Sequence, residues 1–336
     1  MSQPSPTKAV EPTPVSAAME RARVSWFHEQ FPRFAIWLVV LALMILAVIV
    51  SPQVLNARYI STQLKQAAPL GVVSVGQTFV ILAAGIDLSV ASVIALMSVL
   101  AANMMNGRAD MVLSVTLFCL TVALLVGLFN GLLVTKLKIP AFIATLGTIL
   151  IVQGIRFLYT GGAPKGTIPE ALRFWGRGSV GPIPTPLILW VAIVLIALFV
   201  ERRTTFGRRL FAVGGKPPAA RLSGVNVDRV TIAAYLICSF LAGVAGLMLT
   251  GFQGLADNWL GRGYELDSIA AVVIGGASLS GGRGSVIGSV AGVLILTILY
   301  NLVLLLGFDV ETQRIIKGFV IIIAVALYAR AQRQVS

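Results

Sequence analysis

Residues 111–135 run without one charged side chain, and similar apolar stretches recur along most of the chain. A helix needs about 20 such residues to cross the hydrocarbon core of a bilayer. Inside that core a helix is favoured because it satisfies every backbone hydrogen bond within the segment. Composition agrees: 12% of the 336 residues are charged, against about 25% in a soluble domain. Too little polar surface is left to cover a globule in water. The sequence therefore predicts an all-α, polytopic membrane protein.

The first apolar run, Phe34–Val50, is too long for the core of a cleaved signal and is followed by no small-residue cleavage site, so it reads as a retained helix. Further spans fall at roughly 60–84, 89–105, 111–135, 140–160, 187–200, 229–251, 265–281, 285–305 and 312–328, about ten in all. Ten spans put both termini on one side. With the N-terminus in the cytoplasm, 16 of the 26 Lys and Arg residues lie inside, nine outside and Arg156 within a span. Seven of the inside charges fall between Arg202 and Arg229, which favours N-in, C-in. The net charge of +13 thus reads as topology and not as nucleic-acid binding. Residues 1–25, with Pro4, Pro6, Pro12 and Pro14, are expected to form a disordered cytoplasmic tail. Residues 26–336 are expected to form one transmembrane domain with a cytoplasmic loop at 201–228. Cys119 and Cys238 sit in apolar runs as small hydrophobes, and the single histidine, His28, precedes the first span. Neither zinc chemistry nor His-based catalysis is expected.

Two segments interrupt this pattern. Gly85-Ile86-Asp87-Leu88-Ser89 joins two apolar runs without a polar loop. Gly85 frees the backbone to turn and Asp87 caps the next helix. The segment reads either as a tight interfacial turn or as a broken helix beside a transport path. The second opens with Glu265-Leu266-Asp267-Ser268 and runs through Gly275-Gly276 to Gly281-Gly282. Ser268 to Gly282 is 15 residues, about 22 Å of helix against a core of about 30 Å, so a broken or re-entrant helix is expected. Paired short segments of this kind point to the pathway of a transporter.

Polar side chains also follow helical spacing. Gln63, Gln66, Ser74 and Gln77 share a stripe, and Thr145, Thr148, Gln153 and Arg156 share another. They serve either as glue between helices or as contacts for a neutral polar solute. In the loop 201–228, Pro218 and Gly224 frame a short helix from about Pro218 to Ser223. Either the loop only fixes topology, or this helix docks into a cytosolic partner. Residues 161–186 and 252–264 are external segments with aromatic residues (Phe174, Trp175, Trp259). They suit an external partner or simple interfacial anchoring. A Walker A motif is missing: at its nearest approach, Gly215-Lys216, Pro217 replaces the Ser/Thr and Leu210 the first glycine. Any ATP used must bind another chain. Acidic residues within the membrane are scarce, with Asp87, Glu265 and Asp267 near span ends, which weakens the alternative of an ion-coupled carrier.

The run Gln77-Thr78-Phe79-Val80-Ile81-Leu82-Ala83-Ala84-Gly85-Ile86-Asp87-Leu88-Ser89-Val90 resembles the G-Q-T-x-V-I-x-x-G-G-I-D-L-S-V-G motif of ribose-type sugar ABC transporter permeases. Three more stretches resemble the family in its order: Asn130-Gly131 with Ile139 to Gly147, Ala219 to Asn226, and Glu265 to Gly276 continuing into Leu279 to Gly282. Ala84 and Ala91 depart from the family's usual glycines, and Pro218 from the glutamate of the E-A-A-x-x-x-G coupling loop. The resemblance implies an inner-membrane importer subunit in the bilayer that dimerises with itself or with a sister permease. Two cytosolic ATPases would carry ATP and Mg, and a periplasmic binding protein would deliver a monosaccharide, a pentose or hexose. No cofactor is expected on this chain. The coupling role falls on Pro218, Ala219, Ala220, Arg221, Leu222, Ser223 and Gly224. Candidate pathway residues are Ser74, Gln77, Gly85, Asp87, Ser89, Asn130, Thr145, Gln153, Asp267, Gly275 and Gly276.

Overall fold

A computed structural model describes residues 35–309, 311–316, 318, 319 and 322. The N-terminal tail and most of the expected span at 312–328 lie outside the described residues. Twelve helices are described up to residue 309: α1 (Ala35–Val50), α2 (Ala57–Leu82), α3 (Val90–Met105), α4 (Val112–Thr135), α5 (Ala141–Thr160), α6 (Glu170–Arg177), α7 (Thr185–Arg203), α8 (Thr205–Gly215), α9 (Pro217–Leu222), α10 (Val227–Gln253), α11 (Tyr264–Ile274) and α12 (Val286–Leu305). A two-stranded hairpin, β1 (Ser179–Val180) with β2 (Ile183–Pro184), precedes α7.

Burial sorts these helices into a centre and a flank. Every residue of α2 from Ala67 to Leu82 is buried, so this helix is enclosed on all sides. Helix α10 packs on α2, α3, α4 and α6. Small residues set the spacing of these contacts: a Cβ on Gly76 would fall 2.8 Å from the Cα of Cys238, one on Gly127 2.7 Å from the carbonyl of Tyr235, and one on Gly246 2.9 Å from Met97 Cβ. Where hydrocarbon surrounds the bundle, such close packing holds helices together in place of a hydrophobic driving force. Helices α4, α5 and α7 instead turn large apolar side chains outward, among them Leu113, Leu125, Leu150, Leu158, Leu195 and Ile196. An exposed apolar surface of that extent needs lipid around it.

Among the described residues, five helices are long and apolar enough to cross a membrane: α4 with its preceding turn, α5, α7, α10 and α12. The others depart from that pattern for physical reasons. Helices α1 and α3 have 16 residues each, about 24 Å. Helix α2 is long, but its enclosed position tolerates Ser74, Gln77 and Thr78 in its interior. Helix α11 stops after 11 residues at Ile274, well short of the expected 281, so the expected broken helix is present. The stretch 161–186, expected outside, contains α6 and the hairpin; Pro169 before the helix and an acidic first residue, Glu170, favour that start.

Loop contacts separate two ends of the molecule. At one end Gly107 donates its N–H to Thr167 O (2.9 Å) and Ile168 N–H to Gly254 O (3.1 Å), which joins three segments expected outside. At the other end lie the turns after α2, α4, α7 and α11. Segments expected on a common side are thus gathered at a common end.

Candidate functional site

Helix α2 ends in a left-handed residue, Ala84 at φ 61°, while Gly85 N–H bonds back to Val80 O at 2.9 Å. This corrects the expected role of Gly85: the positive φ belongs to Ala84. Gly85 matters for space, since a Cβ there would meet Tyr235 Oη at 2.8 Å. The chain then folds back along the helix it has just left. Gln77 lies five residues before the end of α2, about 7 Å up the axis. Yet its amide, oriented by its hydrogen bonds, donates to Asp87 O and accepts from Asp87 N–H, both at 3.2 Å. Non-helical backbone at such depth persists only when protein satisfies it. Here Gln77 satisfies both groups of one peptide residue.

Asp87 and Ser89 are fully buried and tie this re-entrant segment to its neighbours. Asp87 Oδ1 accepts from the Ser89 N–H (2.9 Å) and the Ser89 hydroxyl (2.6 Å), closing a turn into α3. Asn130 Nδ2 on α4 donates to Ser89 Oγ at 2.8 Å, and Asn130 Oδ1 accepts from Thr148 Oγ1 on α5 at 2.6 Å. Tyr235 on α10 donates to Ile86 O at 3.3 Å. Helices α2, α4 and α10 thus hold Ala84–Ser89 directly, and α5 joins them through Asn130. Asp87 was expected to cap α3; instead it bonds Ser89, the residue before the helix, and so closes the turn within a buried network.

The loop 201–228, expected on the cytoplasmic side, is largely helical. Helix α8 was not anticipated, while α9 falls one residue earlier than the expected 218–223. Three backbones meet where α8 passes beneath α2. Gly282 N–H, in the turn after α11, donates to Leu82 O, the last residue of α2, at 3.0 Å. Gly214 of α8 touches both: a Cβ there would lie 1.8 Å from Leu82 O and 2.5 Å from Gly282 N. A Cβ on Gly281 would fall 2.6 Å from Ala84 Cβ. The element carrying α9, the break after α2 and the break after α11 therefore share one glycine joint. Elsewhere Glu201 at the end of α7 accepts from Val286 N–H at the start of α12 (3.1 Å). Asp228 faces Lys136 (3.1 Å), Arg221 (3.5 Å) and Lys138 (3.8 Å), linking α9 to the α4–α5 turn. These pairs are solvated, so each is worth under about 1 kcal/mol.

The other candidates are dispersed. Ser74 is buried one turn above Thr78, whose hydroxyl reaches Ser289 on α12 at 2.7 Å. Thr145 bonds its own helix at Ala141 O, and Gln153 is partly buried on α5. Of the Gln63–Gln77 stripe, only Ser74 and Gln77 are buried, and Gln66 is exposed. Asp267 accepts from Tyr300 Oη at 3.1 Å, far along α12 from Gly288. Gly275 serves close packing, since a Cβ would lie 2.5 Å from the Gly288 carbonyl, and Gly276 at φ 88° follows the end of α11. Sequence reasoning missed Tyr235, Gly214 and the backbone role of Gln77. Only Gly214-Gly215 inside a basic loop hinted at the joint.

Residues 59–325 match the family model described as the branched-chain amino acid transport system / permease component. The chain belongs to this permease family. The permease is 44% identical over 292 residues to the ribose import permease protein of Bacillus subtilis, covering 85% of this chain and 90% of that one. It is 36% identical over 312 residues to the ribose import permease protein of Escherichia coli K12, with 92% and 96% covered. To the galactose/methyl galactoside import permease protein of Haemophilus influenzae it is 34% identical over 311 residues, with 87% and 93% covered. No solved structure gives a significant match to the permease.

Proposed function

We propose that this permease is the membrane-spanning subunit of an ATP-binding cassette importer that carries a monosaccharide across the bacterial cytoplasmic membrane. Its relatives' names, ribose and galactose import permeases, support a pentose or hexose as solute. In this reading a periplasmic binding protein delivers the sugar to the external end, where the segments around Thr167 and Gly254 join. Cytosolic ATPases, holding ATP and Mg, engage α9. A second permease, identical or related, completes the pathway.

One observation carries the reading: the glycine joint puts α8, which leads into α9, in backbone contact with the end of α2, just before the re-entrant segment. Movement of α9 is passed by α8 to Gly214, and from there to Leu82 and Gly282. Leu82 precedes the Ala84–Ser89 turn, whose position Gln77, Asn130 and Tyr235 register. Backbone packed on backbone leaves no side chain to absorb the displacement, so movement of α8 is passed on to the end of α2. A neutral sugar needs only hydrogen-bond partners along its route, which Ser, Thr, Asn and Gln side chains offer.

Reconstitution in proteoliposomes tests this. Uptake of labelled ribose or galactose should require ATP, the ATPase and the binding protein together, and the permease alone should hydrolyse no ATP. Uptake that survives without the ATPase and stops when the proton gradient is dissipated would overturn the proposal.

A further inference from the structure

Helix α7 has 19 residues, about 28 Å at 1.5 Å per residue, so it just crosses a hydrocarbon core of about 30 Å. Its outward face is continuous: Ile188, Val191, Leu195, Ile196 and Phe199 are 41–64% exposed. Steps of three and four residues place them in one stripe along the helix. Arg202 and Arg203 are exposed and extend that stripe at the same spacing. The lipid-facing surface of α7 thus ends in two guanidinium groups, one turn beyond Phe199 and at the depth of the headgroups.

The chain then turns sharply. Only Thr204 separates α7 from α8, and its hydroxyl accepts from Gly207 N–H at 3.2 Å. A Cβ on Gly207 would strike the carbonyl of Glu201, and Phe206 stacks on Phe79 of α2 with ring centroids 6.2 Å apart. These contacts fix the elbow and leave Arg208 and Arg209 exposed. Four arginines therefore stand within eight residues, and residues 202–227 contain no acid. None of the four has an ion pair among the described residues, while Asp228 is taken up by Lys136, Lys138 and Arg221. Clustered cations repel unless an anion stands among them. Topology asks for positive charge at this end, but not that two of the charges complete the lipid-facing stripe.

We propose that the α7–α8 elbow binds the phosphate headgroup of an anionic phospholipid whose acyl chains lie along α7. Guanidinium groups suit this ligand because their fork meets two phosphate oxygens at once. The stripe from Ile188 to Phe199 gives the acyl chains an apolar wall. The bound lipid holds the first turn of α8, while the far end of that helix touches Leu82 at Gly214. The elbow is then the fixed pivot of α8, and anionic lipid raises the sugar moved per ATP. That consequence rests on the importer reading; the lipid site itself does not.

The test places a bimane fluorophore on Thr205→Cys in phosphatidylcholine vesicles containing a small fraction of brominated lipid. Thr205 is exposed at the elbow, and Cys119 and Cys238 are buried. Brominated phosphatidylglycerol should quench several-fold more than the same fraction of brominated phosphatidylcholine. Arg202→Gln with Arg203→Gln should raise the phosphatidylglycerol fraction needed for half quenching roughly tenfold or more. Arg202→Lys with Arg203→Lys should retain the preference for the anionic lipid. Lys136→Gln with Lys138→Gln removes the same charge at the same end and should change nothing. Equal quenching by the two lipids overturns the site, as does an equal loss in the Lys136 and Lys138 variant, which would make total charge responsible. Displacement of the lipid by millimolar inorganic phosphate, or by the reconstituted ATPase, assigns the elbow to a soluble anion or a protein contact and also overturns it. A wild-type permease that imports no sugar with its ATPase and binding protein overturns the importer reading alone and leaves the quenching result standing.

Discussion

Gln77 illustrates how one side chain can hold a stretch of backbone where no secondary structure does. Removing it leaves the N–H and C=O of Asp87 without their partners in a fully buried setting. A buried unsatisfied group costs about 1–3 kcal/mol. Gln77→Ala should therefore lower uptake more than it lowers the amount of folded protein, with uptake and fluorescence-detected chromatography read in parallel. Equal losses in both would make the amide a packing element only. Asn130 stands differently, between Ser89 and Thr148 on separate helices. Asn130→Ala strands partners on α3 and α5, so the thermal midpoint itself should fall, by about 1–3 kcal/mol of stability. An unchanged midpoint would mean that the chain of hydrogen bonds contributes nothing to holding the segment.

Helix packing depends on where a methyl group has room. A Cβ on Gly292 of α12 would sit 1.9 Å from Ala271 O on α11, whereas one on Gly154 of α5 meets nothing within 4 Å. Gly292→Ala should lower the thermal midpoint, by about 1–3 kcal/mol of stability for overpacking. Gly154→Ala should leave it unchanged or raise it slightly, as alanine favours helix over glycine by about 1 kcal/mol. Equal midpoints for the two variants would refute the close approach of α11 and α12. Elements of this kind were largely legible in the sequence, because uncharged runs such as 111–135 and basic clusters such as Arg202–Arg229 report on lipid and topology directly. The breaks at Asp87 and after Ile274 were also legible, through glycine and aspartate where a span should continue. What could not be read was who touches whom. Gln77 looked like one member of a polar stripe, and its partner proved to be a backbone ten residues away. Helix α8 hid inside a basic loop because Arg208 and Arg209 interrupt its apolar pattern, of which Leu210 and Val213 are buried. Gly85 was expected to supply the turn, but tertiary packing gave the left-handed position to Ala84.

On the scale of the whole molecule, one end of the permease gathers three loops, expected outside, and the other gathers the glycine joint, expected in the cytoplasm. Cysteines placed at Ser223 and Ser280 should react with an impermeant maleimide only from the cytoplasmic side, and one at Lys165 only from outside. Cys119 and Cys238 are both buried and should stay silent. Labelling of Ser280→Cys from outside would break the assignment of ends. The central claim, that force reaches the re-entrant segment through backbone contact at Gly214, is tested most directly by the ratio of sugar imported to ATP hydrolysed. This ratio is measured in proteoliposomes carrying Gly214→Ala with the ATPase and binding protein. The account predicts that ATP hydrolysis continues while sugar moved per ATP falls several-fold. A ratio equal to that of the wild type would contradict it.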